Sequence, residues 1–324
     1  MTDHATIART LETVRNFHIA SERDAEITEH LERLLQRDEL GNLMPEPLRV
    51  TKTGETRGVL MIGGPGSGKS HLVDRALAKQ PVLAEGEYGQ PRYIKCSVPS
   101  PATFKSMTLA LLQKTGYVEA SKRKEAWALW ELLQERLRLM GTAVLWIDEA
   151  HDLFCADRGM ILRALKSLMQ GDDALVVVLS GTEDLGKIIR TDPQVQRRFS
   201  TIILPTLSEE VDGELFKDIL TYYCDRAGRG APVEADLIAR LFHGARYRFG
   251  RAVELIVHAI EMALVADDAD LTIDHFARAW GMQEGCTAQK NVFYAEQFWL
   301  LKPDADEDDE LVVKRRSKTR KRVS

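Results

Sequence analysis

Residues 63–70 read Gly63-Gly64-Pro65-Gly66-Ser67-Gly68-Lys69-Ser70, and this stretch decides the class of fold. It lies between an apolar run at 58–62 and a helical pattern that starts near His71. Glycines at these spacings let successive backbone N–H groups point at phosphate oxygens, at the positive end of the following helix. Lys69 is then placed to reach the β- and γ-phosphates, and the Ser70 hydroxyl to bind Mg²⁺. The sequence therefore predicts a nucleoside triphosphate site at residues 63–71.

The composition is that of a globular protein with room for about two domains: 324 residues, of which 44% are hydrophobic and 29% are charged. No apolar run approaches the ~18 residues that a membrane span needs, and the start of the chain lacks a signal-peptide pattern. Widely separated cysteines without a C-x-x-C pair argue against a zinc site or a disulfide framework; they are Cys96, Cys155, Cys224 and Cys286. We therefore expect a cytoplasmic protein with no membrane partner.

The net charge of −5 hides an uneven distribution near the C-terminus. Residues 314–324 carry seven basic side chains and no acidic ones, shortly after an acidic run at 304–310. Blocks of like charge are usually solvated, disordered tails. Contact with nucleic acid or with an acidic partner is the alternative interpretation, and the sequence leaves both open.

Short apolar segments alternate with helical patterns after residue 57 and predict the strands of one sheet. The segments are apolar throughout, as expected for parallel strands that helices cover on both faces. They lie at 59–62, 92–96, 143–147, 175–179 and 201–204. After Pro205 the pattern is helical only. We therefore predict a doubly wound α/β fold with a five-stranded parallel sheet, followed by a small all-helical domain.

Four regions are expected along the chain. Helical spacing near the N-terminus ends at Gly41 and at the prolines that follow it, which separates this part from the sheet domain. The predicted regions are an N-terminal helical segment at 1–49, a nucleotide-binding α/β domain at 50–206, a helical lid domain at 207–285 and a C-terminal segment at 286–324.

An acidic pair ends the third predicted strand, which reads Val144-Leu145-Trp146-Ile147-Asp148-Glu149. Asp148, at the carboxyl end of the strand, is placed to hold Mg²⁺, and Glu149 to polarise or deprotonate the attacking water. Together with the phosphate loop upstream, this pair predicts nucleotide hydrolysis. Residues 148–151 also read Asp-Glu-Ala-His, as in a group of helicases, but the chain is too short for the second α/β domain that such a helicase needs. We interpret His151 as a structural residue.

Other polar residues are placed to sense or complete the site. The fourth predicted strand ends near Thr182, our first choice for a contact with the γ-phosphate or the water, with Ser180 as the second. Arg197 and Arg198 precede the fifth strand and are candidates to reach the γ-phosphate of a neighbouring subunit. An arginine pair is also common on solvated faces. Arg251 opens a helix of the lid domain and is placed to reach the nucleotide across the interdomain cleft.

The order of these motifs resembles the AAA+ ATPases and, within them, the transposition regulators of the TniB/TnsC type, with MuB more distant. The closer resemblance rests on 98–105 (Val-Pro-Ser-Pro-Ala-Thr-Phe-Lys), 147–151 (Ile-Asp-Glu-Ala-His), 165–168 (Leu-Lys-Ser-Leu), 179–182 (Leu-Ser-Gly-Thr) and 192–199 (Asp-Pro-Gln-Val-Gln-Arg-Arg-Phe). It covers about residues 15–285. It implies ATP and Mg²⁺ as cofactors, sensor 1 at Thr182, an arginine finger at 197–198 and sensor 2 at Arg251.

The resemblance also implies partners. Similar proteins assemble with ATP as rings or helical filaments on double-stranded DNA, recruit a transposase at the target site, and disassemble on hydrolysis; a TniQ-like adaptor is a further partner. The family's DNA-facing loops follow the second strand, which points to Lys105, Lys122, Arg123 and Lys124 as contacts with the phosphate backbone. A solvated helix start is the alternative for the cluster at 122–124. A replication initiator or helicase loader, or an ATPase that does not bind DNA, remains an alternative for the whole protein.

Overall fold

The computed structural model describes residues 4–86, 89–117, 123–154 and 157–304. The chain divides into two compact units. The sheet unit is Ala20–Pro205, and the helical unit combines the described residues of Met1–Ile19 and Thr206–Ser324. The predicted N-terminal segment, 1–49, is therefore divided between the two units.

The strands form two sheets within the described residues. Strands β1 (Leu35–Arg37) and β2 (Leu43–Pro47) pair in an antiparallel hairpin. The main sheet contains β3 (Gly58–Ile62), β4 (Tyr93–Ser97), β5 (Val144–Asp148), β6 (Val176–Gly181) and β7 (Phe199–Ile203), all parallel, in the order β4-β5-β6-β3-β7. The predicted doubly wound α/β fold with a five-stranded parallel sheet is confirmed.

Helices make up most of the remaining described chain. They are α1 (His4–Arg15), α2 (Glu22–Glu32), α3 (Lys69–Ala78), α4 (Pro81–Ala84), α5 (Phe104–Lys114), α6 (Ala126–Leu139), α7 (Ala150–Leu153), α8 (Arg158–Leu168), α9 (Glu183–Ile189), α10 (Pro193–Gln196), α11 (Glu209–Ala227), α12 (Leu237–Gly244), α13 (Phe249–Ala266) and α14 (Ile273–Glu284). Two 3-10 turns follow, Ala288–Lys290 and Phe298–Leu300. Among the described residues, no helix combines the length and the apolar character that crossing a membrane requires.

Helices cover both faces of the main sheet, and the alternation of side chains along β5 assigns each residue to a face. Trp146 is fully buried in the core that α2 and α3 share with one face. Leu145 and Ile147 belong to the opposite core, together with α5, α6 and α8. Because side chains alternate with a period of two, Asp148 shares the α3 face with Trp146. The end of β5 thus presents a carboxylate on the face of the sheet that is covered by α3, the helix that follows residues 63–68.

Residues 35–47 form a hairpin, where the sequence pattern of 1–49 indicated mostly helix. The turn depends on Asp38, whose carboxylate accepts hydrogen bonds from the Asn42 side chain at 2.9 Å and from the Asn42 and Leu40 backbone N–H groups at 2.8 and 2.9 Å. These bonds, the Asn42 side chain first, lower the pKa of Asp38. Gly41 has a φ of +85°, which favours glycine. Turn chemistry therefore decides this region, not helical periodicity.

The helical unit has its own core, to which the N-terminal helix contributes. Ile7, Leu11 and Val14 of α1 are buried in the cluster formed by α11 to α14. At its centre, the rings of Phe216 and Phe242 meet edge to face, with centroids 4.9 Å apart. The first helix therefore depends for its packing on helices at the other end of the chain.

The segment after α14 docks on the helical unit. Arg240 Nη1 donates hydrogen bonds to the carbonyls of Val292 and Ala295 at 2.7 and 2.8 Å, and the guanidinium lies 4.6 Å from the centroid of the Phe298 ring. His243 Nε2 lies 2.9 Å from the Leu301 carbonyl, and Arg246 donates to the Pro303 carbonyl and pairs with Asp304, so several side chains hold this segment against the helical unit. The rest of the predicted acidic and basic tail, 305–324, lies outside the described residues.

Candidate active site

Residues 63–70, the P-loop, connect β3 to α3 through glycines that other residues could replace only with strain. Gly66 and Gly68 have φ of +75° and +92°, in the left-handed region. A Cβ on Gly63 would lie 2.5 Å from Ser67 Oγ and 3.3 Å from Leu204 Cβ, so a side chain at this position would displace the Ser67 hydroxyl. Helix α3 begins directly after Gly68, and its first N–H groups lie at the loop. The geometry is that of an anion-binding cradle.

The side chains of the loop fit a phosphate group. Lys69 is buried, and its Nζ donates hydrogen bonds to the carbonyls of Gly63 and Gly64 at 3.0 and 3.3 Å. The buried Ser67 Oγ has no hydrogen-bond partner among the described residues. A buried hydroxyl without a partner costs free energy, and a phosphate oxygen in the cradle supplies the missing acceptor. The loop therefore fits the nucleotide that the sequence predicts. His71 and Pro65 are exposed.

Two oxygen ligands suited to Mg²⁺ lie on the elements that flank the cradle. Ser70 is in the first turn of α3, and Asp148 ends β5 on the face that α3 covers. Asp148 is 7% exposed, and its Oδ1 accepts hydrogen bonds from Ser180 Oγ and from the Glu149 backbone N–H. Carboxylate and hydroxyl oxygens, completed by phosphate, are the usual environment of Mg²⁺. The donor set fits this metal.

The two candidates for sensor 1 have different surroundings. Ser180 is fully buried in β6, and its hydroxyl donates to Asp148 Oδ1 at 2.6 Å. Thr182 is half-buried and forms the N-cap of α9. Because the Ser180 proton is committed to Asp148, Thr182 is better placed to contact a phosphate or a water. The role of Thr182 stays a prediction.

Glu149 has an unusual backbone. Its φ of 53° and ψ of 37° lie in the left-handed region, which costs a glutamate about 1–3 kcal/mol. The side chain is 46% exposed, and Oε2 lies 3.4 Å from Nδ1 of His151. The strained conformation turns the side chain of Glu149 away from the buried strand, while Asp148 stays within it. His151 is thus a neighbour of the predicted catalytic carboxylate, a position that the sequence did not reveal.

The two candidate arginine fingers share one carboxylate, Glu55. Its Oε1 accepts hydrogen bonds from Arg197 Nη2 at 2.6 Å and from Arg198 Nη2 at 2.8 Å. The Arg198 side chain is only 4% exposed and also donates to the Lys166 carbonyl and the Gln170 side chain. The Arg197 side chain is 49% exposed. Arg198 therefore belongs to the interior of the sheet unit, and Arg197 is the arginine of this pair that a second subunit could meet.

Glu55 is a buried carboxylate that the sequence analysis did not single out. Its pKa is lowered from 4.5 to about 2, first by the hydrogen bond from Arg197 and then by that from Arg198. A lone glutamate in a turn before a strand carries no sequence signal. Arg57, two residues on, has its Nη1 3.6 Å from Oε2, but the two arginines that donate hydrogen bonds are 142 and 143 residues away along the chain, and only the sheet brings them to Glu55.

The predicted DNA-contacting residues lie where two helices begin side by side. The Phe104 ring lies 5.2 Å from the Trp127 and Trp130 rings, centroid to centroid, so the starts of α5 and α6 are neighbours. Lys105 is in the first turn of α5, and the exposed Arg123 and Lys124 precede α6. Lys122 lies outside the described residues. The structure thus brings three of the four predicted basic residues to one end of the sheet unit.

A third helix starts at the same place. The Phe104 backbone N–H donates to Asp157 Oδ2 at 3.1 Å, and Asp157 is the N-cap of α8.

In the helical unit, Arg251 lies in the first turn of α13. Its reach to the nucleotide stays a prediction.

The strand order, the P-loop between β3 and α3, and the acidic pair at the end of β5 define the class of protein: an AAA+ P-loop ATPase. The family model described as "Bacterial TniB protein" matches residues 11–209, well over half of the chain. The chain belongs to the TniB family, whose members are AAA+ ATPases associated with transposition. Comparison with curated proteins gives no significant match.

Solved structures share this fold at low sequence identity. The Aeropyrum pernix ORC1 protein in complex with DNA is 17% identical, with a TM-score of 0.62 over 84% of this chain and 67% of that one. The ADP form of the Aeropyrum pernix ORC2 protein is 14% identical, with a TM-score of 0.54 over 86% of this chain and 75% of that one. Cdc6p from Pyrobaculum aerophilum is 14% identical, with a TM-score of 0.58 over 89% of this chain and 76% of that one. These likenesses concern the fold alone.

Proposed function

We propose that this TniB-family protein is an ATP-dependent DNA-binding ATPase that assembles as a ring or helical filament on double-stranded DNA and recruits a transposase to the target site, with a TniQ-like adaptor as a further partner. The observation that carries the proposal is the convergence of three helix starts around Phe104, beside Lys105, Arg123 and Lys124. Basic side chains bind phosphates without reading the bases. The Aeropyrum pernix ORC1 protein, similar in fold, was solved in complex with DNA.

Each residue of the site has a separate role in hydrolysis. The loop amides and Lys69 bind the β- and γ-phosphates, and Ser70 and Asp148 would hold Mg²⁺. The metal ion, when bound, neutralises charge on the phosphoryl group. Glu149 orients the attacking water and accepts its proton, and Thr182 contacts that water or the γ-phosphate. Lys69 and the loop thus supply binding, whereas Glu149 supplies the chemical step.

Arg197 is proposed to act on the nucleotide of the neighbouring subunit. It is half-exposed and lines a cavity of about 600 Å³ whose charged lining residues are Arg197, Lys187, Arg190 and Glu183, three cations and one acid. An arginine that meets the γ-phosphate in trans stabilises the charge of the transition state. Arg251, as sensor 2, would couple the nucleotide state to the helical unit.

Substituting Arg197 tests this assignment. Arg197→Ala should lower ATP hydrolysis by ~10³-fold or more, the contribution typical of an arginine finger. Mixing it with Lys69→Ala subunits should restore part of the activity, because some interfaces then combine an intact P-loop with an intact arginine. Steady-state phosphate release at a series of mixing ratios is the measurement. The matched control is Lys187→Ala, which removes an exposed cation from the same cavity. Normal hydrolysis by Arg197→Ala would exclude the trans role.

Assembly on DNA is the direct test of the proposed function. Binding to duplex DNA of mixed sequence should require ATP or a non-hydrolysable analogue and should be weak with ADP or without nucleotide. Particle size, measured by mass photometry on the same samples, should grow only when ATP and DNA are both present. A protein that stays small and unbound under all these conditions would not be the proposed assembly factor.

The basic residues make a quantitative prediction within the same assay. Lys105→Ala and Lys124→Ala should each weaken binding on every duplex tested and reduce the slope of log affinity against log salt by about 1. Lys217→Ala is the matched control, since it removes an exposed lysine of the helical unit. Unchanged salt slopes for Lys105→Ala and Lys124→Ala would show that the DNA interface lies elsewhere on the protein.

A replication initiator or helicase loader is the second candidate function, since the same P-loop and acidic pair can serve a different client. The two differ in their client. Co-purification with the transposase of the same element supports the transposition role, whereas ATP-dependent binding to a replicative helicase supports the alternative.

A further inference from the structure

A chain of buried hydrogen bonds runs from Trp146 through Ser180 to Asp148. Trp146 Nε1 donates to Ser180 Oγ at 2.8 Å, and Ser180 Oγ donates to Asp148 Oδ1 at 2.6 Å. Trp146 and Ser180 are fully buried. The second bond has the short length of a charge-assisted hydrogen bond to a carboxylate. Buried in this way, the chain is shielded from competition by water.

The direction of this chain follows from the chemistry of its members. An indole N–H can only donate and an ionised carboxylate can only accept, so the single proton of the Ser180 hydroxyl points at Asp148. The Glu149 backbone N–H donates to the same Oδ1 at 3.1 Å. Two donors on one oxygen fix the plane of the carboxylate. The fixed plane determines how Asp148 presents its oxygens to a cation.

The sheet holds these three hydrogen-bonded residues in place. Strands β5 and β6 are neighbours, with Trp146 opposite Val178 and Ile147 opposite Leu179. On β4, the Lys95 Nζ lies 4.7 Å from the centre of the Trp146 ring and pairs with Asp74 of α3 at 2.7 Å. The indole is therefore fixed between a cation and the serine it donates to.

We propose that Ser180 and Trp146 are positioning residues for Mg²⁺: Ser180 sets the orientation of Asp148, and Trp146 acts through Ser180. Neither touches the ion or the nucleotide. The inference rests on the magnesium–nucleotide site proposed above. Hydrogen-bond partners of metal-ligating carboxylates typically change metal affinity by 10- to 100-fold when they are removed.

The test measures Mg²⁺ dependence at a saturating concentration of ADP, without turnover. Ser180→Ala should raise the Mg²⁺ concentration for half-maximal formation of the ternary complex by about 10- to 100-fold. Trp146→Phe should raise it in the same direction by a smaller factor. The double variant should match Ser180→Ala, because effects that share one path do not add. Ser180→Thr, which keeps the hydroxyl, should restore most of the Mg²⁺ affinity.

A second tryptophan of this protein, Trp130, provides a matched control for Trp146. Trp130 is also buried and also donates its indole N–H to a serine, Ser167, at 3.2 Å, but it lies on α6. Trp130→Phe makes the same chemical change and should leave the Mg²⁺ midpoint unchanged. An equal shift in Trp130→Phe and Trp146→Phe would overturn the proposal, since both would then reflect general loosening of the fold. An unchanged midpoint in folded Ser180→Ala would overturn it too.

A measurement on the wild-type protein tests the proposal even if the variants fail to fold. In protein labelled with ¹⁵N-tryptophan, adding Mg²⁺ to the ADP complex should shift the Trp146 indole resonance more than that of Trp130. Equal or negligible shifts contradict the proposal. ADP binding in EDTA separates this result from the proposed nucleotide site. If the protein fails to bind ADP at all, the nucleotide site itself is contradicted. If ADP binds normally but the Trp146 resonance does not respond to Mg²⁺, only the positioning role is contradicted.

Discussion

Glu149→Gln should lower ATP hydrolysis by ~10²–10⁴-fold while nucleotide affinity stays close to that of the wild type. The range is the usual contribution of a general base, and the amide cannot accept the proton of the attacking water. Glutamine keeps the side-chain size, so the left-handed backbone at this position, with φ of 53°, is retained. On DNA, the variant should form assemblies that persist after excess ATP is removed. Phosphate release and dissociation of labelled DNA are the two measurements.

The control for Glu149→Gln is Asp152→Asn. Asp152 is a 61% exposed carboxylate in the same short helix α7, and its Oδ1 lies 3.7 Å from His151 Nε2. Its substitution should leave hydrolysis within about 2-fold of the wild type, since an exposed acid away from the phosphates adds little. If Glu149→Gln hydrolyses ATP and releases DNA at normal rates, another residue is the catalytic base.

Glu55→Gln should destabilise the sheet unit by about 3–5 kcal/mol. Removal of one partner of a buried ion pair leaves the other charge uncompensated, and Arg198 is that charge. The pKa of Glu55, lowered from 4.5 to about 2, corresponds to a similar free energy, roughly 3 kcal/mol. Hydrogen exchange of peptides that cover β3 and β7 reports the loss, because Glu55 precedes β3 and Arg198 precedes β7.

The pH dependence follows from the same shift. Because the folded-state pKa of Glu55 is depressed, its stabilising contribution is complete above about pH 4.5 and is lost as the pH falls towards 2. The stability difference between wild type and Glu55→Gln should therefore shrink below about pH 4.5. Glu135→Gln is the matched control: the exposed Arg138 also lowers the pKa of Glu135, yet water screens this surface pair, so its loss should cost far less stability than the loss of Glu55. Equal losses in both variants would contradict the role assigned to burial.

Features with a local origin were predictable from the sequence, and those that depend on distant contacts were not. The P-loop and the acidic pair of β5 have fixed spacings, and the three central strands β3, β5 and β6 are buried, mainly apolar runs. The outer strands β4 and β7 are less apolar than the sequence analysis expected, because only part of each is buried. The sequence located a break in the helical spacing at Gly41 and at the prolines that follow it, but not the hairpin at 35–47, because the pairing of β1 with β2 around the Asp38 turn is not visible in apolar spacing.

The separation of Arg197 from Arg198 needed the fold. The two residues are adjacent and chemically identical in the sequence, and only their burial distinguishes them. Likewise, Trp146 looks like an ordinary apolar strand residue until its indole is seen to donate to Ser180. Contacts between strands set both properties, and no local pattern encodes them.

The docking of α1 on α11 and α13 has a consequence for synthesis on the ribosome. Translation produces α1 well before the helices that cover Ile7, Leu11 and Val14, which begin only at Glu209. The sheet unit is complete at Pro205, so it can fold before α1 has a partner. During that interval the apolar stripe of α1 is a candidate binding site for a chaperone. A nascent chain whose residues up to 205 have left the ribosome while α11 is still inside the exit tunnel should therefore show a protected sheet unit and a protease-sensitive α1.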